Sequence, residues 1–250
     1  TLAFGFCFLV FFISFLFPVL QMLYWTIIFP KNLFDLNTFQ LFSNTIYLVF
    51  LSSIVLVVFS FISNYGNRVT KSKFLNFLTT FSITGYAIPG VILAVAFITF
   101  IAWFDNTFVK AFEFNSIKKI FIGSIFGLVI VYFIRFYSLA YNGLKTGYER
   151  INRSIDESSY LLGYSKIKTF LGIHVPYLKN SVFLIGILIT IEVIKELPIT
   201  LILRPFNFET FATTAYIFAS QDLLEAAAVP SLFLIFCLLY TSPSPRDSSK

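Results

Sequence analysis

Charge is scarce in this chain. Only 12% of its 250 residues are Asp, Glu, Lys or Arg, and 58% are hydrophobic. Soluble domains carry about 25% charged residues, so an ordinary water-soluble fold is excluded. The mean hydropathy of +0.85 agrees. There is one histidine, His174, which rules out a His-rich metal site, and there are two cysteines. Cys7 and Cys237 lie in apolar runs without metal-ligand spacing and say nothing about redox compartment. The chain has no Gly-x-x-x-x-Gly-Lys-Ser/Thr loop, so it does not hold a nucleotide phosphate in that way. It also lacks Gly-x-Ser-x-Gly and His-Glu-x-x-His, leaving no recognisable catalytic motif and no cofactor to expect.

What the chain does have is long apolar runs, rich in its 35 phenylalanines. The phenylalanines read as generic lipid-facing filler. A bilayer core needs about 20 apolar residues in a helix, and five segments meet that: 3–28, 42–64, 80–104, 119–142 and 178–203. A sixth begins near 224. The expected fold is all-α and polytopic, with about six transmembrane helices across residues 1–236.

The net charge of +6 fits topology better than nucleic-acid binding, because the bases sit at the ends of apolar segments. Arg68, Lys71, Lys73, Lys145, Arg150, Arg153, Lys166, Lys168 and Lys179 fall in alternate loops on one side. Lys31, Lys110, Lys118, Lys119 and Arg204 fall on the other. The positive-inside rule places the first set, the 143–178 loop and Thr1 in the cytoplasm. Neither end looks native. Thr1 opens inside an apolar run, and residues 237–250 resemble the translation of a sequencing-library adapter.

The 143–178 loop is unusual for so apolar a chain. Ser154-Ile-Asp-Glu157 reads as a capping box, with Asp156 adding favourable charge in the first turn. The spacing predicts a helix from about Ile155 to Leu162, a bend at Gly163, and a second helix capped by Ser165 that runs to Ile173. Pro176 ends that helix or opens the next span. Tyr160, Leu161, Ile167, Phe170 and Leu171 recur at helical spacing. They fit either a partner's groove or a surface lying on lipid headgroups.

A second unusual stretch is Glu192-Val-Ile-Lys195-Glu196-Leu-Pro198 within the fifth apolar run. Ionisable groups inside a membrane cost roughly 2.5–3.5 kcal/mol each on insertion scales, so they face a bundle interior or a watery path. Glu192 and Lys195 are i,i+3 neighbours able to pair. The stretch serves either as interhelical glue or as part of a path or gate, with Pro198 kinking or ending the helix. The glycines and Pro89 in Gly85-Tyr-Ala-Ile-Pro-Gly90 suit a kink or close helix approach. Arg135 suits snorkelling or pairing.

Glu157-Ser158-Ser159, three residues, Gly163, nine residues, then Ile173-His174-Val175-Pro176 resembles the EAA loop of binding-protein-dependent ABC importer permeases. The departures are Ser158 and Ser159 for two alanines and Val175 for leucine. Lys195-Glu-Leu-Pro-Ile-Thr-Leu-Ile-Leu-Arg-Pro-Phe206 resembles a region of iron(III) permeases, with support from Gly85–Gly90, Arg135-Phe136 and Asp222–Ala228. Residues 1–236 are similar to the second half of long permeases whose halves are fused.

The resemblance implies a non-enzymatic permease in a bacterial inner membrane. It implies a cytoplasmic ATPase partner, a second permease half and a periplasmic binding protein. Glu157, Ser158, Ser159, Gly163, Ile173 and Pro176 would couple to the ATPase. Glu192, Lys195, Glu196 and Pro198 would line the path or gate. Iron(III) would be the cargo, with thiamine, polyamine or phosphonate as alternatives. An integral-membrane transferase using Glu192 and Glu196 is the alternative of another class.

Overall fold

The computed structural model describes residues 2–29, 36–70, 72–111 and 123–241. Among them every regular element is helical and no strand occurs. The chain is an all-α polytopic membrane protein. Five helices are long and apolar enough to cross a membrane, or six if the bent pair Lys166–Tyr177 and Lys179–Lys195 is one span.

Helix α1 covers Leu2–Ile28, with a π-turn at Phe12–Leu16. α2 covers Leu36–Thr70, α3 Lys73–Ile83, α4 Gly90–Ala111 and α5 Ile125–Glu149. α6 is Arg153–Leu161. α7, Lys166–Tyr177, bends by 68° into α8, Lys179–Lys195. Then follow α9, Pro198–Leu203, α10, Phe211–Ser220, and α11, Leu224–Thr241.

Several expected boundaries move. The run expected as one span at 80–104 is broken. α3 ends at Ile83, a 3-10 turn takes Thr84–Ala87, and α4 starts at Gly90. The residue before Pro89 is disfavoured in the helical region, and Ile88 is extended (ψ 127°). The 178–203 run breaks at Glu196 and Leu197, and Pro198 opens α9, since proline suits a first helical turn and not an interior. The loop expected to start at 143 starts later, because α5 stays helical to Glu149. α11 starts at the expected residue 224 and runs to Thr241. Lys31, Lys71, Lys118, Lys119, the start of the 119–142 span and residues 242–250 lie outside the described residues.

Two compact units share the chain: Thr1–Tyr47 with Ile194–Leu197 and Asn207–Lys250, and Leu48–Val193 with Pro198–Phe206. In the first, α11 packs against α10 and against the second half of α1. Phe211 and Phe233 stack at 4.9 Å there, and the Thr45 hydroxyl accepts from the Phe211 amide at 3.2 Å. In the second, α5 is the central element. Leu128, Tyr132, Phe136, Ala140 and Leu144 recur every four residues and, with Val131 beside them, are fully buried, the stripe expected of a helix packed along one face.

Against α5 lie α3, the Thr84–Ala87 turn, α4 and α9. The turn comes so close that a Cβ on Gly85 would sit 2.2 Å from the Ile134 carbonyl oxygen. Arg135 reaches the same turn and donates to the Ile88 carbonyl at 2.7 Å. Both findings match the expected close approach and the expected pairing of Arg135. The buried Tyr132 and Thr200 hydroxyls hydrogen-bond between α5 and α9.

Candidate functional site

The loop after α5 folds as a helix, a bend and a helix. Its first cap differs from the expected box. Asn152, not Ser154, is the N-cap, and its side-chain oxygen accepts from the Ser154 amide at 3.2 Å. α6 therefore starts two residues early, at Arg153, and ends at Leu161. Asparagine competes well with serine at this position, and the Asn152–Arg153 start leaves Ser154 inside the helix.

Gly163 sits at the expected bend with φ +82°, and nothing crowds it. The Gly163 amide donates to Tyr160 and the Tyr164 amide donates back to Ser159, closing the helix end. Ser165 caps α7, accepting from the Lys168 amide at 3.3 Å. The second helix runs past Ile173 to Tyr177 through a π-turn at Phe170–His174.

Glu157, Ser158, Gly163 and Pro176 are exposed, Ile173 is half-buried, and Ser159 is buried. Ser159 holds the two helices together. Its hydroxyl hydrogen-bonds Thr169 at 2.9 Å, and both residues are buried. Leu161 is 90% exposed and Ile167 72%. Leu162 and Leu171 are exposed as well. Phe170 departs from that expected outer face. It turns inward, with its ring 4.8 Å from that of Tyr65 and 5.8 Å from that of Phe61. A groove of about 460 Å³ opens along Ser154, Ile155, Ser158, Leu162, Tyr164 and Ile173.

The loop is tied down by residues far apart in the sequence. The Arg68 Nε donates to Asp156 Oδ2 at 2.6 Å, in a pair largely shielded from solvent. The other two guanidinium nitrogens donate to the carbonyls of Tyr148 (3.1 Å), Ile151 (2.9 Å) and Asn152 (3.2 Å). Arg68, near the end of α2, thus caps the carbonyls at the end of α5 and holds the first turn of α6. A planar, multi-donor guanidinium suits this; an ammonium does not.

On the far side of the carboxylate, His174 Nε2 lies 2.9 Å from Asp156 Oδ1. The imidazole is fully buried, stacked on Tyr148 and near Tyr65. Burial pushes its pKa below the usual value, the neighbouring Asp156 carboxylate partly opposing this. Burial thus favours the neutral ring. The Tyr65 hydroxyl donates to the Lys166 carbonyl at 2.6 Å, a further tie between α2 and α7. Asp156, expected only as a favourable charge in a first turn, is the centre of this cluster.

The other group of named residues is dispersed in burial. Glu196 is buried, Glu192 and Pro198 are half-buried, and Lys195 is exposed. They flank the interruption between α8 and α9.

No family model matches the chain. It is 22% identical over 237 residues to the Fe(3+)-transport system permease protein FbpB 2 of Haemophilus influenzae, covering 94% of this chain. In sequence and in fold the chain resembles the permease of an ABC importer. It spans 44% of the length of that relative. Two solved structures share the fold. One is a bacterial alginate ABC transporter in complex with alginate pentasaccharide-bound periplasmic protein, with a TM-score of 0.72 and 13% identity. The match covers 99% of this chain and 94% of that one. The other is a bacterial ABC transporter involved in the import of the acidic polysaccharide alginate, with a TM-score of 0.73 and 14% identity. Coverage there is 99% and 95%.

Proposed function

We propose that the chain is the membrane permease, or half of it, of an ATP-driven importer that receives cargo from a periplasmic binding protein. The observation that carries this reading is the loop at 150–178. Its inner side is locked by Arg68, Asp156 and His174, while Leu161, Leu162, Ile167 and Leu171 form an exposed apolar face. Water does not favour such an apolar crest on a fixed scaffold unless a partner covers it. The match to an iron(III) permease and the fold shared with two alginate ABC transporters support a cytoplasmic ABC ATPase as that partner.

On this reading Glu157, Ser158 and Gly163 lie at the ATPase contact, and Ile173 and Pro176 position the second helix. ATP-driven closure of the ATPase moves the loop, and the membrane helices respond by alternating access. The count of basic residues supports a cytoplasmic loop in a bacterial inner membrane. Iron(III) is the favoured cargo, on the strength of the iron permease match and the Lys195–Phe206 stretch. Glu192, Lys195, Glu196 and Pro198, beside the break in the span, are its path or gate.

Co-expression of the full chain with its ATPase tests the reading. Retention of the ATPase on the purified permease is expected, as is radiolabelled iron(III) uptake driven by ATP and a loaded periplasmic protein. Loss of ATPase retention would overturn the permease reading. Retention with uptake of another solute would overturn only the iron assignment.

A further inference from the structure

We infer that Arg68 fuses the end of α2, the end of α5 and the loop helices into one rigid body, so that the ATPase moves them as a unit. This rests on the importer reading above. The Arg150–Asn152 segment between α5 and α6 is the place where a hinge would be expected, because the helix ends there and the chain turns. Arg68 removes that freedom. Its guanidinium grips the carbonyls of Tyr148, Ile151 and Asn152 on one side of the turn and Asp156 on the other. Asp156 in turn meets His174 from α7, and Tyr65, one helical turn before Arg68, holds the Lys166 carbonyl. Three elements separated in sequence therefore meet at one cation.

A buried ion pair adds little stability over a well-packed apolar contact, but it fixes one geometry and leaves a buried charge if a partner is lost. That is the property a force-bearing joint needs. An apolar contact at the turn would permit sliding. A charge-assisted set of four directed bonds does not. Arg68 is thus a positioning residue.

The test uses the full permease–ATPase complex with Cys7→Ala and Cys237→Ala, and spin labels at Thr70→Cys and Ser154→Cys. Both sites are exposed and lie on either side of the Arg68 contact. Dipolar broadening is read without nucleotide and with ATP and vanadate, so no cargo is needed. With Arg68 present, the broadening should be the same in the two states. With Arg68→Met, the ATPase should still co-purify, its ATP KM should stay within two-fold, and the broadening should change between states. Arg68→Lys should restore part of the wild-type behaviour. Broadening that changes with Arg68 in place overturns the inference, as does broadening that stays constant in Arg68→Met. If Arg68→Met fails to accumulate, Asp156→Asn provides the same comparison. Failure of the unsubstituted chain to hold any ATPase overturns the importer reading, and this inference with it.

Discussion

Ser159 and Thr169 share a buried hydrogen bond of 2.9 Å across the bend at Gly163, joining the two helices of the polar loop. The Ser159 hydroxyl also donates to the Asp156 carbonyl at 2.8 Å. Replacing Ser159 with Ala leaves the Thr169 hydroxyl without this partner in a buried place. A net loss of about 1 kcal/mol is expected. It should show as faster amide hydrogen exchange over 153–169, with the membrane helices unchanged. Unchanged exchange would mean that Thr169 finds another partner at no cost.

Gly163→Val should act through the backbone. The residue sits at φ +82° with open space around it, so the penalty is conformational, about 1–2 kcal/mol for a side-chain-bearing residue in the left-handed region. The expected result is a re-angled α6–α7 bend, weaker ATPase co-purification and intact insertion. ATPase retention equal to that of the parent would separate the bend from docking.

Leu161→Asp tests the crest alone. The side chain is 90% exposed. Expression and thermal stability in detergent should hold, while ATPase retention should fall at least ten-fold. A variant that still binds the ATPase normally would move the docking face elsewhere.

The environment of His174 has a pH consequence. Its neutral form is favoured by burial against Tyr65 and Tyr148, with the Asp156 carboxylate opposing this and the Arg68 cation adding to it. The undocked imidazole titrates near 6.5. Below that value the undocked state takes up the proton more readily, so loop docking is fully present above about pH 6.5 and weakens as pH falls through it. Hydrogen-exchange protection over 166–177, corrected for intrinsic rates, should match at pH 8 and 7 and drop at pH 5.5. His174→Gln should flatten the dependence. Protection that rises at pH 5.5 would show attraction to Asp156 outweighing burial.

Gly85→Ala is expected to be harmful despite its small size. The added carbon would lie 2.2 Å from the Ile134 carbonyl oxygen, against backbone that has little room to move. A loss of about 1–3 kcal/mol is expected, read as lower thermal stability in detergent.

The helical class, the spans and the bend at Gly163 were legible because they depend on local signals: apolar run length, a left-handed glycine, a serine cap at Ser165. The break at Gly85–Gly90 was visible as glycine and proline, but hydropathy averaged across it. Ser159 was named on motif spacing alone, whereas its role comes from Thr169 ten residues later. In the sequence Arg68 is one topology charge among several, and His174 is a lone histidine. Nothing local pairs Arg68 with Asp156, 88 residues away. Such long-range contacts depend on how α2 lies beside α5, which periodicity does not reveal.

α2 is a single helix of 35 residues, about 52 Å at 1.5 Å per residue. A bilayer's hydrocarbon core is about 30 Å thick, and an average tilt near 20° shortens the helix only slightly. Roughly 20 Å must therefore project beyond the apolar slab. Both ends of α2 carry polar residues, Asn37, Thr38 and Gln40 at one and Asn64, Asn67 and Arg68 at the other, so the excess is shared between them, and the part at Arg68 carries the helix past the hydrocarbon edge toward the loop. A nanodisc or detergent belt would stop short of it, leaving the crest accessible to an antibody fragment raised against residues 153–177.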